Sequence, residues 1–233
     1  MKNVFSLLAI VTICFLTISC SRNDDSEGEG ANIEEIVPPA ILDGMKPYIT
    51  IYSGTTPPDI EGTYLIEPTT TVYCQDYSQD EGSGGYEKGT VVANVYIKFA
   101  NQKNDNHTIE YSEKSADGNT VAAGKGAFIS GSANNFTVYL DTEGESRGIY
   151  TKTALVISGR KTNTGIKDLR YAFVMVEKGS DPNEELMAQD VYRIFEDGSG
   201  EAAIANWPID TKAISGSLQN SYNVMSYNVK RDE

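Results

Sequence analysis

The sequence predicts an all-β fold: an antiparallel up-and-down barrel of about eight to ten strands with one or two short helices. Three observations lead there. From Gly62 onward, apolar and polar residues alternate with period two in segment after segment, the pattern of strands that bury one face. Turn-forming residues separate these segments, at Asp117-Gly118, Gly131-Ser132, Glu143-Gly144, Asn163-Thr164-Gly165 and Asp197-Gly198. Helical periodicity is nearly absent. A meander with short turns closes most simply into a barrel, which leaves no exposed edge. A two-sheet sandwich is the alternative.

The elements follow in order. Ile33, Ile36, Val37, Ile41 and Met45 are apolar at loosely helical intervals. Pro38-Pro39 interrupts them, so one short helix is expected from Pro39 to about Lys46, with proline at its first position. Tyr48 to Tyr52 reads as a short strand, and Pro57-Pro58 ends that unit. Thr63 to Ile66 and Thr71 to Cys74 are short strands. Val91, Ala93, Val95, Ile97 and Phe99 form the apolar face of one strand, with Asn94, Tyr96 and Lys98 opposite. Ile109 and Tyr111 alternate with Thr108, Glu110 and Ser112. Ala127 to Ser130 follows, then Phe136, Val138 and Leu140 alternating with Thr137, Tyr139 and Asp141. Ile149 to Ser158 is long and rich in Thr and Val. Arg170 to Val176 is apolar on both faces and should be covered on both. Val191 to Glu196 completes the set. Asp181, Pro182 and Glu184 have the order of a helix cap, so Glu184 to Gln189 is expected to form a short helix.

The N-terminus carries a different signal. Lys2 precedes an apolar run from Val4 to Ile18, broken by Ser6, Thr12 and Thr17. The run is shorter than the ~20 residues a membrane-spanning helix needs. It ends in Leu16-Thr17-Ile18-Ser19-Cys20. This resembles a bacterial lipobox, with Thr17 where leucine is usual. The resemblance implies a signal peptide over residues 1–19 and lipid on Cys20, and a multiply acylated cysteine anchors stably. Ser21, in place of Asp after the cysteine, implies the outer membrane. Residues 20–32 read as a flexible acidic tether, because no large apolar side chain occurs from Ser21 to Ala31. Its Asp24, Asp25, Glu27 and Glu29 resemble the signal that carries some Bacteroidetes lipoproteins to the cell surface; the periplasmic face is the alternative. Residues 33–233 then form a single domain.

Pro57-Pro58-Asp59-Ile60-Glu61-Gly62-Thr63-Tyr64 opens the main run. Its Gly-Thr-Tyr resembles the Gly-x-Trp signature of lipocalins, with tyrosine for tryptophan. That resemblance implies an aromatic ring closing the barrel's base over a glycine bend. The whole plan of lipobox, acidic tether and meander is similar to calycin-like lipoproteins of the Bacteroidetes whose function is unassigned.

Composition excludes several classes. The chain has 33 acidic against 19 basic side chains, a net charge of −14. Removing residues 1–19 takes away Lys2 and no acid. Such a charge repels phosphate backbones and anionic membranes, so nucleic acid is not an expected partner. Cys14 lies in the signal and Cys20 is the lipid site, so Cys74 stands alone and is read as a small buried hydrophobe. The single histidine, His107, falls in a polar turn with no nucleophile elbow, so no catalytic residue is assigned and the chain is read as non-enzymatic. Gly82-Ser83-Gly84-Gly85 lacks the ending of a phosphate loop and reads as a hairpin tip. The carboxylate pairs Glu184 with Glu185 and Asp141 with Glu143 are the candidates for glycoside hydrolysis, and are read as solvated surface. Asp76, Asp80 and Glu81, and Asp197 with Glu201, cluster without calcium-loop spacing. No metal or cofactor is assigned.

Aromatics are the better hint. The chain has 14 Tyr and 7 Phe, and tyrosine inside a barrel gives an apolar wall with a polar tip. Tyr111, Phe136, Tyr171 and Phe173 fall on faces assigned inward, where they either fill the core or line a ligand cavity. The leading expectation is a monomeric, outer-membrane-anchored lipoprotein that holds a small apolar or amphipathic ligand in its barrel. The alternative is a surface interaction or accessory protein, for example in glycan uptake. That reading wants a solid core and exposed aromatics such as Tyr96, Tyr139 and Trp207 on one face.

Overall fold

The structure, a computed structural model, describes residues 33–78, 84–116, 121–146 and 148–208. The fold is all-β, as the alternation predicts. Two short helices, α1 (Ile33–Ile36) and α2 (Pro39–Met45), precede eleven strands. These are β1 (Gly62–Ile66), β2 (Thr69–Cys74), β3 (Val91–Val92), β4 (Val95–Lys103), β5 (Thr108–Ser115) and β6 (Val121–Ser132), followed by β7 (Asn135–Ser146), β8 (Ile149–Lys161), β9 (Gly165–Lys178), β10 (Tyr192–Asp197) and β11 (Glu201–Ile204). All the ladders are antiparallel and form one sheet, in the order β11-β1-β4-β5-β6-β7-β8-β9-β10-β2-β3. A further pairing of β11 with β9 bends eight of the strands into a barrel-like ring. β10, β2 and β3 continue the sheet beyond it.

Closure depends on how β9 shares one edge. Its first residues pair with β11 (Gly165↔Ala203, Ile166↔Ala202, Lys167↔Glu201). After Asp168, at φ 53°, the same edge pairs with β10 from Arg170 to Val174. A Cβ at Gly165 would stand 2.3 Å from the Ala202 carbonyl oxygen, so the seam admits only glycine there.

Two cores lie on the two faces of the wall. The inner one includes Tyr64, Phe99, Tyr111, Ile129, Phe136, Val138, Leu155, Ile157 and Phe195. Its aromatic rings touch in series: Tyr64 to Phe99 at 6.3 Å, Phe99 to Tyr111 at 5.6 Å, and Phe99 edge-on to Phe136 at 6.3 Å. The outer core sits under the helices. Ile36, Ile41 and Met45 cover Ala154 and Val156 of β8 and Ala172 and Val174 of β9, which is why both faces of β9 are apolar. The Tyr192 hydroxyl donates to the Gly44 carbonyl (2.8 Å) and ties α2 to β10.

One end of the ring is capped by the chain that leads into β1. Ile60 is fully buried there, and the Tyr64 hydroxyl donates to its carbonyl (3.0 Å). Gly62 makes the bend at φ 143°. Gln102 holds the cap from β4, accepting from the Ile60 N–H (3.0 Å) and donating to the Pro58 carbonyl (2.9 Å). Lys161 sits 5.0 Å over the Tyr64 ring, a cation–π contact.

Several local expectations are corrected. Tyr48 to Tyr52 is not a strand: its backbone meets side chains, with the Tyr52 N–H donating to Thr137 Oγ1 (2.8 Å) and Ser130 Oγ to the Tyr52 carbonyl (2.7 Å). The strand expected from Val91 to Phe99 breaks at Ala93-Asn94, because β3 pairs with β2 while β4 pairs with β1. Asn94 turns aside to donate to Glu67 (2.9 Å). Glu143-Gly144 is not a turn but continues β7 opposite Lys152 and Thr151. Gly131 and Ser132 lie in β6, and the reversal falls at Ala133, φ 53°. No helix forms from Glu184 to Gln189, because Glu184 takes φ 52° and the Asp181 carboxylate instead accepts from the Glu185 and Leu186 N–H groups. The Asp117-Gly118 turn, like the signal and tether of residues 1–32, lies outside the described residues.

The packed end predicts a clear mutational contrast. Phe136→Ala should cost about 3–5 kcal/mol in urea unfolding, whereas Val91→Ala, at a position 60% exposed, should stay within about 0.5 kcal/mol.

Candidate functional site

The inward faces of three strands of the ring, β5, β7 and β8, change character along their length. β5 runs Ile109, Tyr111, Glu113, Ser115; β7 runs Phe136, Val138, Leu140, Thr142; β8, read back from its C-terminal end, runs Ile157, Leu155, Thr153, Thr151. Away from the capped end each series passes from apolar to polar. Glu113, Ser115, Thr151 and Thr153 are nonetheless buried. Thr142 and Thr153 face each other across the ladder and share a hydrogen bond of 2.7 Å.

Glu113 is the chemical centre of this belt. Its Oε2 accepts from the Tyr111 hydroxyl at 2.6 Å and from the Tyr171 hydroxyl at 2.7 Å. Among the described residues no cation pairs with it, and none donates a hydrogen bond to Oε1. Burial pushes the carboxyl above its ordinary value, and outweighs the two hydroxyls, which favour the ionised form. Burial also raises the Tyr111 hydroxyl well above 10, with the adjacent Glu113 charge acting in the same direction. At the β6 register positions opposite Tyr111 and Glu113 the sequence places Gly124 and Ala122, two of its smallest residues.

Of the four aromatic residues assigned inward, two meet this carboxyl and two belong to the inner core around it. Tyr111 and Tyr171 hold it directly. Phe173 stands opposite Leu155 on β9, packs against the inner core and keeps part of its ring accessible. Phe136 lies deeper, fully buried against Phe99, and belongs to the packing of the closed half. Next to them Phe195 meets Tyr171 at 6.4 Å, and its ladder neighbour Thr71 has a buried hydroxyl with no hydrogen-bond partner among the described residues. Cys20 lies outside the described residues.

Other sequence candidates separate. Cys74 is 5% exposed, and burial raises its thiol. His107 leans on Phe128 at 5.8 Å. Asp141 and Glu143 flank Lys152 at 3.4 and 3.7 Å, an ion-paired surface rather than an acid–base pair. Asp76 pairs with Arg193, while Asp80 and Glu81 lie outside the described residues. Asp197 accepts from the Glu67 N–H (2.8 Å) and from Ser199. The Glu201 carboxylate accepts from the Thr162 and Thr164 hydroxyls. Tyr139 is 2% exposed under the N-terminal helices, so it cannot join Tyr96 and Trp207 in an exposed patch. The alternation read from the sequence ends β5 at Ser112 and so misses Glu113. Carrying the period of two from Ile109 and Tyr111 one step further turns it inward.

Comparison with protein-family models, with curated proteins and with solved structures finds no match to this chain. Its class rests on geometry: an all-β protein built on an eight-strand ring, capped at one end, with a buried carboxyl between two tyrosines toward the other.

Glu113 gives the site a pH signature. Its folded carboxyl holds a proton more tightly than the unfolded one. The stability this contributes is complete below the ordinary glutamate value of 4.5 and is lost as pH rises through the raised folded value. Thermal midpoints of wild type and Glu113→Gln, measured from about pH 4 to pH 8, should diverge in favour of the variant as pH rises. A gap that stays constant would refute the assignment.

Proposed function

We propose that this chain is a lipid-anchored, non-enzymatic binding protein of the calycin-like kind, which holds a small amphipathic molecule beside Glu113, in the half of its ring away from Ile60 and Tyr64. The observation that carries the reading is the buried Glu113 carboxyl, fixed by Tyr111 and Tyr171 on one oxygen and given no donor on the other among the described residues. A carboxyl placed in an apolar interior without a cation costs several kcal/mol unless something compensates it. A ligand head that donates hydrogen bonds to Oε1 does so. Phe173 and Phe195 supply the apolar wall for its body, and Ser115, Thr151 and Thr153 the polar one.

The sign of the site selects the ligand. A carboxylate-headed molecule such as a fatty acid finds no cation at Glu113 among the described residues. An amine- or hydroxyl-headed amphiphile fits, and the chain's net charge of −14 attracts cationic species. Cys20 would carry the lipid that holds the protein at the outer membrane, with the acidic tether placing the ring at the cell surface. Among the described residues no helix is long and apolar enough to cross a membrane.

Native mass spectrometry of full-length protein purified from its own host tests both parts. The expected spectrum shows acyl chains on Cys20 and a retained small molecule that Glu113→Gln and Phe173→Ala lose. An unacylated Cys20 contradicts the anchor. A wild-type ring that carries no more small molecule than the two variants contradicts the site.

A further inference from the structure

A groove lies where β2 leaves the ring, with Tyr48 and Tyr73 packed on the outer core and Tyr86 on the inner one. It is an open groove of about 630 Å3, bordered by Tyr48, Tyr73, Tyr77 and Tyr86. That volume is in the ~300–1,000 Å3 range of small-molecule sites. Each of the four rings is only partly buried, so the groove presents aromatic surface to water. Its polar lining is Gln75, Glu87, Lys88 and Arg170.

The groove is held in shape from two sides. On one side Tyr48 stacks on Tyr73, with centroids 4.0 Å apart and planes 12° from parallel, and Tyr73 leans on Tyr192 at 5.7 Å. On the other, Arg193 grips Asp76 with Nε (3.1 Å) and Nη2 (2.5 Å), and Nη2 also donates to the Gly84 carbonyl (2.6 Å). The same guanidinium lies 5.5 Å from the Tyr86 ring centre. A bidentate, largely desolvated pair of this kind fixes geometry as well as energy. The aromatic borders are therefore preorganised, which lowers the entropic cost of binding.

We propose that this groove binds a neutral oligosaccharide. A pyranose ring has an apolar C–H face that lies well on an aromatic ring, and a rim of hydroxyls that both donate and accept. Tyrosine matches both features, with an apolar face and a polar tip. Glu87 supplies acceptors, Lys88 and Arg170 donors, and Gln75 both. The charge balance selects a neutral sugar over a sulfated or uronic one. Arg170 is already neutralised by Glu196 at 2.6 Å, Glu87 and Lys88 offset each other, and the chain as a whole repels anions.

The test uses full-length protein in detergent, titrated with maltotriose, cellotriose, xylotriose and mannotriose and followed by saturation-transfer NMR. At least one should bind with a Kd of about 1 mM or tighter. Tyr77→Ala and Glu87→Ala should each weaken it about tenfold at unchanged thermal midpoint, because neither side chain makes a hydrogen bond or ion pair among the described residues. Glu113→Gln should leave the affinity unaltered, which separates this groove from the ring. Failure of all four sugars to bind overturns the proposal. So does an affinity insensitive to both groove variants, or displacement of the sugar signal from the groove by a proline-rich peptide that binds there more tightly.

Discussion

One edge of β9 serves two strands, and the rest of the molecule follows from that division. β11 takes the edge at Gly165–Lys167 and closes the ring; β10 takes it from Arg170 and carries the sheet outside. Without the first pairing, β11 would be the free edge of an open sheet, with its amides exposed to chance partners. Without the second, β2 and β3 would have no wall to extend. Gly165 lets the two backbones meet at a spacing that no Cβ fits, and the left-handed turn at Asp168 separates the two pairings.

The division also places the two candidate sites. Inside the ring, Ile60 and Tyr64 fill one end with tightly packed apolar groups, and the buried polar side chains lie toward the other. There the inward residues of β5, β7 and β8 turn polar while β9 keeps Phe173. The result is an interior with one polar and one apolar wall, both buried. Outside, the β10–β2 extension carries Tyr73 beyond the ring, where Tyr48 and the segment after β2 reach it. A closed ring with no extension would have no such groove.

Much of this is legible in the sequence. Period-two alternation marks β4, β5 and β7 because one face of each meets the inner core and the other is largely polar. The doubly apolar run of β9 announces its cover of helices. The Gly-Thr-Tyr sequence places the bend and the ring that close the base, and Gly62 and Tyr64 occupy those positions. What stays hidden depends on partners distant in sequence. Val91 and Val95 share one alternating pattern, yet pair with different strands, and only tertiary geometry separates them. Asp181 caps backbone amides as a helix cap would, but Lys178 at 2.7 Å and the left-handed Glu184 turn that segment into a loop. Glu113 reads as one more solvated acid until Tyr111 and Tyr171, one of them 58 residues away, converge on it.

The seam between β9 and β11 is the most direct place to test the account. In full-length protein with isotope-labelled methyl groups and aromatic rings, cross-strand nuclear Overhauser contacts should connect Ile166 with Ala202 and, across the next ladder, Tyr64 with Ile204. Finding both sets closes the ring as described. Finding β9 paired with β8 and β10 alone, with no contact from Ile166 to Ala202, would open the sheet and remove the interior on which the buried carboxyl depends.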